Sequence, residues 1–228
     1  MLDRLICTRR AIYLLAMFIA VNSMNRVPAL AELITFDTLA TNGGSGKLIP
    51  LGYANLYWSG FYAIDSALVA SPNGFVPGTV SSPNVAFNVS GGQPSIDAEP
   101  GGGTFNLDSL YITAAWDDDL SVTVQGYNGF NLVTETVLPT SATVSTPYTL
   151  VDFDNLTQVN FLPSGGTPHP GYAGSGQEFA LDNVVVDINP PAVPEPASLS
   201  LLVLAASCIL SRPGRAPSAF RIQKMPSL

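Results

Sequence analysis

Asp117-Asp118-Asp119-Leu120-Ser121-Val122-Thr123-Val124-Gln125-Gly126-Tyr127-Asn128-Gly129-Phe130-Asn131-Leu132-Val133-Thr134-Glu135-Thr136-Val137-Leu138 is the stretch that decides the fold class. Leu120, Val122 and Val124 alternate with Ser121, Thr123 and Gln125. Period two puts the apolar set on one face and the polar set on the other, as in a half-buried strand. Asn128-Gly129 suits the two positive-φ positions of a type I′ hairpin turn. Asn131 to Leu138 is predicted to return as the partner strand, and Asp117-Asp118-Asp119 reads as a solvated turn before the hairpin.

The neighbouring segments repeat this grammar. Thr104 to Trp116 alternates through Phe105 and Leu107, then through Leu110, Ile112, Ala114 and Trp116. The parity change near Ser109 predicts a bulge. Strands are also expected at 33–37, 85–89, 148–153, 156–162 and 178–188, and Gly60 divides two strand-like pieces between Tyr53 and Leu68. Turns at Ser71-Pro72-Asn73-Gly74 and Ser81-Ser82-Pro83-Asn84 punctuate them, and 164–176 reads as a long Gly/Pro loop. No stretch carries a helical period and no repeat is visible. The expectation is an all-β domain, a single antiparallel β-sandwich of jelly-roll-like form.

The two ends differ from this domain. Arg4, Arg9 and Arg10 precede an apolar run from Ala11 to Val21. Ala29 and Ala31 supply the small residues of a cleavage site, so 1–31 is read as a signal peptide. The ectodomain is placed at 32–189, a Pro-rich linker at 190–198, a hydrophobic helical segment at 199–211 and a basic cytoplasmic tail at 212–228. Charge divides along the same lines. Between Glu32 and Ala192 one lysine, Lys47, faces fifteen acids, a net charge of −14. Such a surface repels phosphate backbones and excludes nucleic acid as a partner. Cys7 and Cys208 both lie outside that segment, so it contains no disulfide, no thiol nucleophile and no cysteine-based zinc site.

Candidate chemistry is sparse. His169, the single histidine, sits between Pro168 and Pro170 and reads as an exposed loop residue, a poor base for a Ser-His-Asp site. Paired carboxylates leave a glycoside hydrolase as a minor alternative. If the first and last strands lie side by side, Glu32, Asp37 and Asp182 approach one another, and a structural calcium ion is the expected way to balance them. Tyr57, Trp58, Phe61, Tyr62, Trp116, Tyr127 and Phe130 are aromatic faces on which a sugar could stack, with core packing as the competing reading. Parity places Trp116 in the core. Tyr57 and Trp58 point opposite ways, so one of that pair is expected outside, and the two are the candidate glycan contacts.

Val193-Pro194-Glu195-Pro196, the apolar run from Leu199 to Leu210 and the basic residues Arg212, Arg215, Arg221 and Lys224 together resemble the bacterial PEP-CTERM sorting signal. Some classifications label the same region an ice-binding-protein C-terminal domain, without implying ice binding. The resemblance implies export through a Sec-type translocon, transient membrane anchoring and recognition by an exosortase-like membrane protease that cuts near Pro194 to Pro196. It places the mature domain at the cell surface or in an extracellular matrix, in association with exopolysaccharide. Two features depart from the pattern: the run is short and carries Ser207, and Pro213 and Gly214 interrupt the basic end. Phe105 to Gly126 and Phe179-Ala180-Leu181-Asp182-Asn183 are similar to ectodomains found with this tail, which resemble carbohydrate-binding β-sandwiches. The expected function is thus a non-enzymatic surface or matrix protein, with a carbohydrate-binding module as the second reading.

Overall fold

The structure, a computed structural model, describes residues 31–101 and 103–189. Its elements in chain order are β1 (Ala31–Ile34), β2 (Lys47–Leu48), β3 (Leu56–Ser59), β4 (Phe61–Asp65), the one-turn helix α1 (Phe75–Gly78), β5 (Asn84–Asn88), β6 (Ser95–Ala98), β7 (Thr104–Ala114), β8 (Asp117–Asn128), β9 (Asn131–Pro139), β10 (Thr146–Thr149), β11 (Gln158–Pro168) and β12 (Phe179–Asn189). They form two antiparallel sheets packed face to face, the β-sandwich that the alternation predicts. A seven-stranded sheet runs β10-β7-β12-β5-β4-β2, with β1 also paired to β12. The second sheet has five strands in the order β3-β6-β11-β8-β9.

The inward residues of both sheets make one core. Leu120, Val122 and Val124 of β8 face Phe105, Leu107 and Ile112 of β7, and all six are fully buried. An aromatic chain crosses that core edge to face: Phe36 on Trp58 at 5.1 Å, Trp58 on Phe61 at 5.7 Å and Phe61 on Phe161 at 5.6 Å. Such pairs add to the burial of their own area because ring edges and faces carry opposite partial charge. A second cluster covers the outside of the seven-stranded sheet. There Phe75 of α1 packs with Ile64, Val85, Phe87, Ala115 and Ala180. Every residue of β5 is therefore buried, since that strand is covered on both faces. Among the described residues no such cluster covers the outer face of the five-stranded sheet.

Several local expectations need correction. The hairpin turn is centred on Gly129-Phe130, with Asn128 paired to Asn131 and positive φ at Gly129 only. A register shift between Gly126 and Tyr127 takes up the extra residue. The three aspartates are not a turn: they open β8, and Asp117 and Asp118 pair with Pro168 and Thr167. Hence the first part of the presumed 164–176 loop is strand, the continuation of β11. The cause is side-chain bonding. Asp117 is buried and accepts the N–H of Gly176, and Asp118 binds His169. The parity break near Ser109 is a bulge of β7: Asp108 is an extra residue between Leu107 and Ser109, opposite the Val185–Val186 step of β12, and β12 carries extra residues of its own between Asp182 and Val185, opposite Tyr111 and Ser109.

Candidate functional site

Register across the five-stranded sheet assembles a row that no local segment contains. Tyr57 of β3 lies opposite Asp97 of β6, Asp97 opposite Gln158 of β11, Gln158 opposite Tyr127 of β8, and Tyr127 opposite Leu132 of β9. Each belongs to the outward set of its strand. Beside it runs a second row, Ser59, Ser95, Asn160, Gln125 and Glu135. Strands in a sheet are about 4.8 Å apart, so three spacings put the two tyrosines about 14 Å from each other.

Hydrogen bonds tie these side chains into two clusters. Gln158 Nε2 donates to Asp97 Oδ1 at 2.7 Å, and Ser95 Oγ donates to Asp97 Oδ2 at 2.7 Å. Tyr127 Oη donates to Gln125 Oε1 at 2.9 Å, and Gln125 Nε2 donates to Glu135 Oε2 at 2.6 Å. The face thus presents a polar strip with an aromatic side chain on each side of the Asp97 cluster, and Leu132 and Val137 exposed on the edge strand β9. Phe130 projects fully into solvent from the adjoining hairpin tip.

The structure separates the two candidate glycan contacts. Tyr57 is half-buried on the outer face, but Trp58 is 1% exposed and points inward. Its Nε1 donates to the carbonyl of Tyr53 at 3.0 Å, so it cannot stack on a sugar while the domain is folded. Trp116 is the converse correction. It lies in the second cluster, only partly buried, edge-on to Phe75 at 5.6 Å and donating to the Glu178 carboxylate. The strand ends at Ala114, so parity no longer applies to Trp116.

The first and last strands do lie side by side, with Glu32 opposite Val186. The three acids of the expected calcium site nevertheless have separate tasks. Asp37 Oδ1 accepts the N–H of Asn84 at 3.0 Å. Asp182 is fully buried. Its Oδ2 accepts the N–H groups of Val80 and Ser81, both at 2.7 Å, and its Oδ1 accepts the Ser81 hydroxyl at 2.9 Å and the Asn183 N–H at 2.7 Å. Burial raises the Asp182 pKa above the usual 3.8, and these bonds oppose the rise without cancelling it. Among the described residues no group of three or more His, Cys, Asp or Glu side chains is disposed to hold a metal ion. A shallow depression of about 250 Å³ is lined by residues that include Glu32, Thr38 and Tyr53.

His169 is not a free loop residue. It follows the end of β11, with Nδ1 2.7 Å from Asp118 Oδ2 and its ring 4.3 Å from that of Tyr172. Tyr172 in turn donates to the carbonyl of Ala142 at 2.9 Å. This is a strut across the end of the sandwich. A further acidic group surrounds Asp108, whose carboxyl is held above 3.8 first by burial and then by the charges of Asp187 and Asp154.

Of the residues expected to direct export, Ala31 opens β1 opposite Asp187. Ala29, the sorting motif Val193, Pro194, Glu195 and Pro196, and the tail residues Arg212 and Arg215 lie outside the described residues. No helix among the described residues is long and apolar enough to cross a membrane.

The described residues define an antiparallel β-sandwich with one sheet covered on its outer face and the other open. No family model matches the chain, and no curated protein matches it in sequence. Among solved structures it is similar to a DUF4465 family protein from Bacteroides caccae, with TM-score 0.50 and 13% identity over 70% of this chain and 100% of that one. A DUF4465 protein from Bacteroides ovatus is similar at TM-score 0.40 and 9% identity, covering 72% and 90%. TmCBM61, solved in complex with β-1,4-galactotriose, is similar at TM-score 0.34 and 8% identity, covering 67% and 99%. At 13% identity the likeness to the first of these is one of fold.

Proposed function

We propose that this chain is an exported, non-enzymatic protein that binds polysaccharide on the outer face of its five-stranded sheet. The observation that carries the reading is the cross-strand row Tyr57–Asp97–Gln158–Tyr127 with its neighbours Ser95, Asn160, Gln125 and Glu135. Sugars offer apolar ring faces and a rim of hydroxyls. Spaced tyrosines with oriented amides and carboxylates between them match both features, and a row that crosses four strands suits an extended chain better than a small molecule. A glycosidase is disfavoured by the same geometry. Asp97 and Glu135 stand three strands apart, about 14 Å or more, whereas hydrolysis needs carboxyls about 5–9.5 Å apart.

Export rests on the sequence: the N-terminal basic and apolar run, and the ordered Val193-Pro194-Glu195-Pro196, apolar and basic segments. In this reading a Sec-type translocon delivers the chain and an exosortase-like protease processes it. The acidic domain then remains at the surface or in the matrix, associated with exopolysaccharide. Affinity electrophoresis of the protein through gels containing a panel of soluble polysaccharides tests the binding. At least one should retard the protein, and Tyr57→Ala and Tyr127→Ala should each reduce the retardation. Equal mobility of the native protein in every gel would sink the proposal.

A further inference from the structure

The hydrogen bonds on the open face all run one way. A carboxylate only accepts, so the Gln158 amide must turn Nε2 toward Asp97, and the Gln125 amide must turn Nε2 toward Glu135. Flipping either amide would set oxygen against oxygen. With Gln125 fixed in this sense, its Oε1 takes the Tyr127 hydroxyl proton, and the Ser95 hydroxyl proton is spent on Asp97 Oδ2. The groups left facing outward are mostly lone pairs: the two carboxylates, Gln158 Oε1, Ser95 Oγ and Tyr127 Oη. The remaining donors are neutral: the Ser59 hydroxyl, the Asn160 amide and the second hydrogens of the two glutamines.

The charge around the face has the same sense. Lys47 is the one Lys or Arg among the described residues, and it belongs to β2, an edge strand of the other sheet. The domain is otherwise acidic throughout. A uronate or sulfate group would meet carboxylates with no cation to pair with. An ammonium group would find acceptors ready for charge-assisted bonds, which are stronger than neutral ones, and the surrounding negative field would raise its local concentration.

The geometry points to a polysaccharide bearing free amino groups, a hexosamine polymer cationic at neutral pH, as the ligand of this face, and to exclusion of anionic glycans. This inference rests on reading the face as glycan-binding. It is tested by calorimetric titration of the full chain with a glucosamine oligosaccharide, with its fully N-acetylated counterpart and with a uronic acid oligosaccharide of equal length, each at low and high salt. The amino form should bind at least about tenfold more tightly than the acetylated form, the difference expected from one charged hydrogen bond. Its affinity should fall with salt, and the uronate should give no heat. Glu135→Gln, at an exposed edge position, and Asp97→Asn should each weaken the amino oligosaccharide about tenfold or more, with melting temperatures measured alongside to show that the variants fold. Equal or tighter binding of the acetylated form, binding of the uronate, or indifference of the amino form to both carboxylate variants would overturn the amino-sugar inference while leaving a glycan-binding face intact. Indifference of every glycan to Tyr57→Ala and Tyr127→Ala would instead remove the face itself.

Discussion

Replacing Asp182 by alanine should destabilise the domain by about 2–4 kcal/mol, and the isosteric Asp182→Asn should do no better. The buried carboxylate collects four donors: the backbone N–H groups of Val80, Ser81 and Asn183, and the Ser81 hydroxyl. It thereby clips the 79–83 segment onto the bulge of β12, where Asn183 adopts a φ of 47°. A hydrogen bond to a charged group contributes about 1.5–3 kcal/mol, and a buried donor left unpaired costs about 1–3 kcal/mol. Releasing the carboxylate from burial offsets part of the loss, since burial already disfavours its charged form. A domain of this size loses about 2–4 °C of melting temperature per kcal/mol, so the expected drop is about 4–16 °C in a calorimetric scan. Asparagine keeps one oxygen, but its NH₂ must then face a backbone N–H on either side of the carboxylate position. The drop should be the same in calcium as in EDTA, because protein donors occupy both oxygens. An asparagine variant that melts with the native protein, or a native protein whose melt rises with calcium as far as the variant falls, would refute this account and restore the metal site.

Trp58→Ala should cost about 3–5 kcal/mol by opening a cavity in the aromatic chain, whereas Tyr57→Ala, one residue away, should move the midpoint of a urea titration by far less and act on glycan retardation instead. Asp108→Asn should stabilise the domain at neutral pH. The native carboxyl has a raised pKa, so the folded state binds more proton than the unfolded one between 3.8 and that raised value. Its contribution to stability is full below 3.8 and is lost as pH rises through the raised value, and the variant should flatten this part of a melting-temperature-against-pH curve. Changing Pro194, Glu195 and Pro196 together to alanine should leave the longer, unprocessed form in the membrane fraction on an immunoblot. Normal processing of that variant would count against an exosortase-like protease.

Local pattern carried the secondary structure a long way. The alternation in Leu120 to Gln125 and in Thr104 to Ile112, with glycine and asparagine at the turns, is a direct consequence of side chains pointing to opposite faces of a strand, and it marks a half-buried sheet wherever it occurs. The same alternation could say that Tyr57 and Trp58 face opposite ways, but not which of them faces in. That depended on Phe36, supplied by another segment, and on the turn at Gly60 that folds Phe61 of the next strand against the indole. Strand ends were less legible, because Asp117 and Asp118 extend β8 through contacts with Gly176 and His169, about fifty to sixty residues away in the chain.

By itself the sequence determined the all-β class, the acidic and cysteine-free character of the domain, and the order of segments that argues for export. Each of these is a matter of composition or of neighbours along the chain. Tertiary structure alone decided that Asp182 is a clip, that Trp58 is core, and that Tyr57, Asp97, Gln158 and Tyr127 stand in one row. The physical reason is tertiary in each case: the segment that holds Val80 and Ser81 meets Asp182 from about a hundred residues away, Phe36 closes on Trp58 from outside its strand, and register between strands, which no local periodicity encodes, sets the row.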